Sequence, residues 1–174
     1  MDKQQLIELI SSTALLRGDF TLRSGRKSSY YLDKYLFETQ PDILAALGKL
    51  FVQHADDSVD RFAGAELGGI PLVAAAAMAA NLPMVFIRNQ KKDYGTEKRL
   101  EGVLNAGDQV MIVEDIATSG GQVLEAAAVI CEAGATVNKI VAVIDRQEGA
   151  REKITSAGYV FESLFTKTDL GIGD

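Results

Sequence analysis

The chain predicts an α/β fold with a central, mostly parallel sheet flanked by helices, and three observations carry that prediction. Aliphatic runs at 83–87, 110–113 and 140–144 lack polar alternation, as strands buried on both faces do. Each run ends in charge: Arg88, the pair Glu114 and Asp115, and the pair Asp145 and Arg146. Between the runs lie stretches whose apolar residues recur at helical spacing, the alternation expected of parallel strands joined by crossover helices.

Bulk composition narrows the setting. With 174 residues the chain is expected to form one domain, 1–174, with a full core and no need of disulfides or metal staples. The richest apolar run, Ile70 to Leu82, is alanine-rich and short for a membrane crossing, so it reads as a buried helix. Asp2, Lys3 and Glu8 interrupt the amino end, unlike a secretory signal. The single cysteine, Cys131, suits a reducing cytoplasm. Eighteen basic against 24 acidic residues give a net charge of −6, which argues against nucleic-acid and anionic-membrane partners. Any anionic ligand must then be held by a local cluster of donors.

Lys3 to Leu16 carries Leu6, Leu9, Ile10 and Thr13 or Ala14 at helical spacing, and Gly18 with Asp19 is expected to end that helix. Phe20 to Asp33 reads as a hairpin: a strand, a basic Ser/Gly turn, and a second strand holding Tyr30 and Tyr31. Two readings of it stand open. One is a solvated turn with the tyrosines alternating in and out; the other is a hood, within 1–36, over a flat aromatic base. Pro41 opens the next helix, with Ile43, Leu44, Leu47, Leu50 and Phe51 on one face. His54, the sole histidine, lies near its end, which excludes a histidine-based triad and a multi-histidine metal site.

Arg61 to Pro71 reads as a strand, a glycine-rich loop and a helix start. Gly64 and Gly69 have the first spacing of a P-loop, but Ile70 and Pro71 stand where lysine and a hydroxyl residue are required. No G-x-G-x-x-G occurs, so the dinucleotide fingerprint is missing as well. What remains is a backbone-rich pocket able to approach a pyrophosphate closely. The strand ending at Arg88 runs into 89–101, a polar excursion without apolar periodicity. It is either a solvated linker, as charge runs usually are, or a cationic lid over a polyanionic substrate.

The chemistry concentrates in Val110 to Gly121. A buried strand delivers Glu114 and Asp115; Thr118, Ser119, Gly120 and Gly121 then form a loop whose N–H groups can converge on an anion. The helix that follows has Val123, Ala126, Ala127, Ile130 and Cys131 at offsets 0, 3, 4, 7 and 8, which expects a packed thiol. A phosphate dianion suits the loop and the helix amino end. Ionised carboxylates only accept hydrogen bonds, so the acids must face another part of the ligand, and ribose hydroxyls meet that demand. Farther on, Arg146 either holds a ligand carboxylate through two parallel hydrogen bonds or pairs with Asp145 or Glu148. A short helix, Ala150 to Ser156, and a strand, Tyr159 to Phe165, complete the reading.

Aliphatic strand, two acids, two variable residues, threonine, small residue and glycine resemble the phosphoribosyl pyrophosphate signature of the type I phosphoribosyltransferases. Together with Thr21-Leu22-Arg23-Ser24-Gly25-Arg26, Gly64 to Pro71, Lys98-Arg99-Leu100-Glu101-Gly102 and Asp145-Arg146-Gln147-Glu148, the pattern resembles the orotate phosphoribosyltransferases along nearly the whole chain. The resemblance implies a type I phosphoribosyltransferase-like fold with an N-terminal hood and a flexible lid. It also implies transfer of ribose 5-phosphate from phosphoribosyl pyrophosphate to orotate, giving orotidine 5'-monophosphate and pyrophosphate in pyrimidine synthesis.

Carried over by position, Lys92, Glu114 and Asp115 would be catalytic. Arg88, Asn89, Lys91, Lys92, Tyr94, Glu114, Asp115, Ile116, Ala117, Thr118, Ser119, Gly120, Gly121 and Gln122 would bind the donor, and Arg23, Tyr31, Leu32, Thr118 and Arg146 the orotate. Mg2+ would arrive on the diphosphate with no direct protein ligand, and the lid of one subunit would reach its neighbour's site in a homodimer. Three positions depart from the family pattern: Asn89 replaces a second basic residue, Tyr94 the lid histidine, and Gly68 a frequent lysine. The alternatives are a transferase for a purine base, a non-catalytic sensor of the donor, and a dinucleotide-binding domain.

Overall fold

The computed structural model describes residues 1–21, 25, 27–89 and 99–173. Helix α1 (Lys3–Ala14) begins with a capping box. The Asp2 carboxylate accepts from the Gln5 N–H at 2.8 Å, and the Gln5 side chain accepts from the Asp2 N–H at 3.0 Å. The helix stops earlier than its periodicity suggests. Leu15 and Leu16 already belong to strand β1 (Leu15–Thr21), antiparallel to β2 (Lys27–Leu32), with Leu15 opposite Leu32 and Arg17 opposite Tyr30. This two-stranded sheet is separate from the main one. A short helix, α2 (Lys34–Glu38), was not expected; the Asp33 side chain caps it through the Tyr35 N–H.

The main sheet is assembled from β3 (Arg61–Ala65), β4 (Met84–Ile87), β5 (Leu100–Glu101), β6 (Gln109–Ala117), β7 (Thr136–Asp145) and β8 (Phe161–Thr166). Their order across it is β5-β4-β3-β6-β7-β8, all parallel except the two-residue β5. Helices α3 (Pro41–His54), α4 (Gly69–Ala80), α5 (Gly121–Glu132) and α6 (Ala150–Ser156) connect them. From β3 the chain winds outward to β4, whereas from β6 it winds the other way to β7 and β8. That reversal opens a crevice at the carboxyl ends of β3 and β6, the place where open α/β sheets bind ligands.

Strand β6 shows why its sequence is aliphatic throughout. Met111 and Val113 enter the core beneath α1, α3 and α4; Val110 and Ile112 enter the opposite core beneath α5 and α6. All four are fully buried, and each burial of that kind contributes about 1.5–3 kcal/mol. The first core also takes Leu6, Ile10, Phe37, Leu47 and Phe51, which dock α1, α2 and α3 on the sheet. Packing is close where side chains are absent. A Cβ on Gly48 of α3 would lie 2.6 Å from the Ala75 carbonyl oxygen of α4, and one on Gly64 would lie 2.3 Å from that of Gly69.

Helix α5 buries Val123, Ala126, Ala127, Val129 and Ile130, but Cys131 is exposed, its Sγ 3.8 Å from the Tyr159 hydroxyl. The expected packed thiol is thereby corrected: the apolar face ends one residue earlier, because the helix stops at Glu132 beyond the edge of the core. Among the described residues no helix is long and apolar enough to cross a membrane.

Candidate active site

The acid pair lies where β6 leaves the sheet interior. Glu114 and Asp115 are 8% and 4% exposed, too little for ordinary surface carboxylates. Asp115 Oδ1 accepts from the Ile116 N–H at 2.5 Å, and its Oδ2 accepts from Lys34 Nζ at 2.5 Å. Lys34 reaches it from α2, so the helix that the sequence did not announce places on this acid the one cation found there among the described residues. Glu38, at the other end of α2, is buried and neither carboxylate oxygen has a partner; Glu114 Oε2 is in the same condition.

Burial is the largest cause that raises the Glu38 pKa, to about 8, followed by the charge of Asp115, with Lys34 opposing. Glu114 is held well above the carboxylate range by the same burial and the same neighbour. Burial would lower Lys34, but the charge of Asp115 and its hydrogen bond outweigh it and the net shift is upward. Glu38 and Glu114, both shifted upward, therefore flank the Asp115 side chain that Lys34 holds. Gly68 makes the arrangement possible: a Cβ there would stand 1.9 Å from Asp115 Oδ2.

After the acids the chain turns from β6 into α5. The crevice is lined by Glu114 and residues 116–123, so Ile116, Ala117, Thr118, Ser119, Gly120, Gly121 and Gln122 all come to one place. Gly120 caps α5 with φ of +73°, a conformation L side chains rarely adopt, and a Cβ on it would also approach Ile154 to 3.0 Å. The loop then exposes α5's amino end toward the crevice, a place suited to a phosphate.

Neighbouring strand ends complete the rim. The Asn89 N–H donates to Glu66 Oε1 at 2.7 Å, and the Gln122 side-chain amide donates to the Glu66 carbonyl at 3.2 Å. Glu66, which sequence reading passed over, thus ties the ends of β3 and β4 to the start of α5. Arg88 Nη1 stands 4.0 Å from Glu101, and its buried Nε has no partner. Arg146, following β7, donates to Glu148 at 2.8 Å and to the Tyr30 hydroxyl at 3.2 Å, while its buried Nε has no partner. Of the sequence alternatives for Arg146, the Glu148 pair forms; Asp145 instead faces Arg151 at 3.5 Å and the Gln147 N–H at 2.8 Å.

The β1–β2 hairpin supplies Tyr30 to this rim. Tyr31 points the other way, 45% exposed, with its ring centroid 5.7 Å from that of Phe20, and Leu32 sits in the core. Arg23, Lys91, Lys92 and Tyr94 lie outside the described residues, as does most of the expected lid. Among the described residues no group of three or more histidine, cysteine or acidic side chains is placed to hold a metal ion.

Chemically, the crevice offers a cup of N–H groups and hydroxyls for an anion, buried acids for a diol or a developing cation, and a guanidinium one strand away. Comparisons agree with that inventory. Residues 37–169 match the family model of the phosphoribosyl transferase domain. The orotate phosphoribosyltransferase of Natronomonas pharaonis is 42% identical over 98% of both chains. An orotate phosphoribosyltransferase structure from Mycobacterium tuberculosis has a TM-score of 0.90 at 30% identity, covering 99% of this chain and 100% of that one. Another from that organism, in complex with 5-phospho-α-D-ribosyl 1-diphosphate, has a TM-score of 0.85 at 30% identity, covering 99% of this chain and 100% of that one. This chain belongs to the phosphoribosyl transferase domain family and, within it, to the orotate phosphoribosyltransferases.

Proposed function

We propose that the chain transfers ribose 5-phosphate from phosphoribosyl pyrophosphate to a ring nitrogen of orotate, releasing pyrophosphate and forming orotidine 5'-monophosphate for pyrimidine synthesis. The observation that carries this reading is the buried acid pair of β6 beside the open amino end of α5. The donor has a phosphate for the cup and a vicinal diol for the acids.

In this reading Glu114 and Asp115 grip the ribose hydroxyls and stabilise positive charge as the bond to pyrophosphate breaks. The loop from Ile116 to Gln122 holds the 5-phosphate. Arg88, Asn89, Lys91, Lys92 and Tyr94 meet the diphosphate, with Lys92 the lid's catalytic lysine. Magnesium is carried by the diphosphate as part of the donor and supplies charge neutralisation there. Arg146 takes the orotate carboxylate in exchange for Glu148, and Arg23 and Thr118 line the base, whereas the outward Tyr31 ring and the core residue Leu32 would have to shift to join them. A homodimer in which each lid serves the partner's site would exclude water, which otherwise competes for the sugar.

The test mixes the protein with magnesium, phosphoribosyl pyrophosphate and, separately, orotate, uracil, adenine, hypoxanthine or guanine. Orotate should be consumed and the other bases left. Preference for any of those others overturns the base assignment; failure to use the donor with any base overturns the reaction.

A further inference from the structure

The phosphate cup as described has no cation of its own. Among its lining residues the single ionisable side chain is Glu114, an acid with an unpartnered buried oxygen, so none of them can carry positive charge. The chain as a whole carries −6. N–H groups and a helix dipole favour a phosphate dianion with partial charges only, so a full positive charge close to the loop would add what nothing in the loop supplies.

Helix α6 brings one there. It is seated on the loop: a Cβ on Gly120 would touch Ile154 Cγ1 at 3.0 Å and the Ala150 carbonyl oxygen at 3.3 Å. The residue next to Ile154 is Lys153, whose Nζ lies 3.6 Å from the point where a Cβ on Gly121 would stand. The Ser119 hydroxyl lies 3.8 Å from that same point. Ammonium and hydroxyl therefore both stand close to the first residue of α5, Gly121, which itself lines the crevice. Among the described residues no ion pair holds Lys153 elsewhere, although acidic residues outnumber basic ones in this chain.

We propose that Lys153 is a phosphate-binding residue of the donor site, closing the cup over the 5-phosphate from α6 and so distinguishing phosphorylated from unphosphorylated sugars. The proposal rests on the functional reading above and adds to it a residue outside the loop. A lysine is fitted to the task because it acts as a mobile point charge, and its four-carbon stem can follow the phosphate as it enters and leaves. The same contact would be made in the nucleotide product, since the 5-phosphate is not altered in the reaction.

The experiment compares wild type with Lys153→Met, Lys153→Arg and Lys153→Glu. Calorimetry with magnesium and phosphoribosyl pyrophosphate measures donor binding without any base. Steady-state kinetics then give KM and kcat, with orotidine 5'-monophosphate and orotidine as paired product inhibitors. Lys153→Met should weaken donor binding about tenfold, as loss of a hydrogen bond to a charged group does. The loss should sit in KM rather than kcat. Inhibition by the nucleotide should weaken by the same factor, inhibition by the nucleoside should not change, Lys153→Arg should retain most affinity, and Lys153→Glu should lose more than Lys153→Met. Unchanged donor affinity in Lys153→Met overturns the proposal. So does equal weakening of nucleotide and nucleoside, which would make Lys153 a packing residue for α6. If the wild type binds the donor but spares orotate, the base assignment falls while the calorimetric comparison still decides Lys153.

Discussion

The two ends of the parallel sheet treat their charges in opposite ways. At the amino ends of the strands every acid considered is paired. Arg61 Nε donates to Asp108, which also accepts from the Asn105 N–H at 2.8 Å. Glu162 takes His54 at 2.5 Å and Lys139 at 2.9 Å, and Lys139 also reaches the His54 carbonyl at 3.0 Å. Asp56 accepts from the Ser58 N–H at 2.9 Å and from its hydroxyl. All three acids are held below the usual carboxylate range. Hydrogen bonds from Ser58 lower Asp56 and the bond from Arg61 lowers Asp108; at Glu162 burial opposes, but His54 and Lys139 outweigh it.

At the carboxyl ends Asp115 and Asp145 are paired as well, but several of their neighbours are not. Glu38 and Glu114 are raised, and Glu38, Glu114, Arg88 and Arg146 each keep a buried polar atom without a partner. Leaving such an atom unsatisfied costs about 1–3 kcal/mol, so the arrangement is retained against stability. The difference separates charges that hold the fold together from charges kept waiting for a ligand.

Asp115→Asn tests the functional end most severely. It should lower kcat by about 10²-fold or more, the scale for removing one preorganised electrostatic partner of a transition state. Its Tm should move by no more than about 4 °C. A collapse in Tm with activity retained would place Asp115 among the structural charges instead.

Glu38→Gln should show a stability effect that depends on pH. Because the folded-state pKa is raised to about 8, the wild type loses stability as pH climbs from the unfolded value, about 4.3, to about 8, and no further above it. The glutamine variant lacks that loss. Its Tm should match wild type near pH ~4 and exceed it by about 2 °C or more at pH ~8.5. Melting curves across that range with a constant gap would refute the assignment.

Glu162→Gln should have the smallest effect, and only on stability. The Glu162 side chain is 37% exposed, so solvent screening leaves the pair worth about 1 kcal/mol or less. With a depressed folded pKa, that contribution is complete above the unfolded value and disappears as pH falls through the folded one. Wild type and variant should therefore differ by no more than about 2 °C at neutral pH and converge below about pH 4. Turnover should be unaffected, and an activity loss would break the division between the two ends.

Most of the sheet and the central motif could be read directly, because a strand buried on both faces has few other ways to be encoded than an unbroken aliphatic run. The loop from Thr118 to Gly121 was equally open to reading, since hydroxyls and glycines after an acid pair leave little else. The missed parts are short or distant. Helix α2 has five residues, too few for periodicity to register, yet it brings Lys34 across 81 positions to Asp115. Alternation shows that Tyr30 and Tyr31 face opposite sides but not which side is inward; pairing of β2 with β1 and its packing on the sheet settle that. Leu15 and Leu16 continue a helical pattern that the cross-strand partner Leu32 overrides. Gly68 looked like a departure from a family pattern, and only the proximity of Asp115 Oδ2 gives the physical reason for a residue without a side chain.

The glycine contacts form a series: Gly48 of α3 against Ala75 of α4, Gly69 of α4 against Gly64 of β3, and Gly68 against Asp115. No flexible side chain lies between one backbone and the next, so there is little slack to absorb a displacement. A shift that begins in the helix pair on the far side of the domain is handed on to the carboxylate nearly whole. Tolerance for change in that pair is accordingly set by the geometry turnover demands, well before folding itself is threatened.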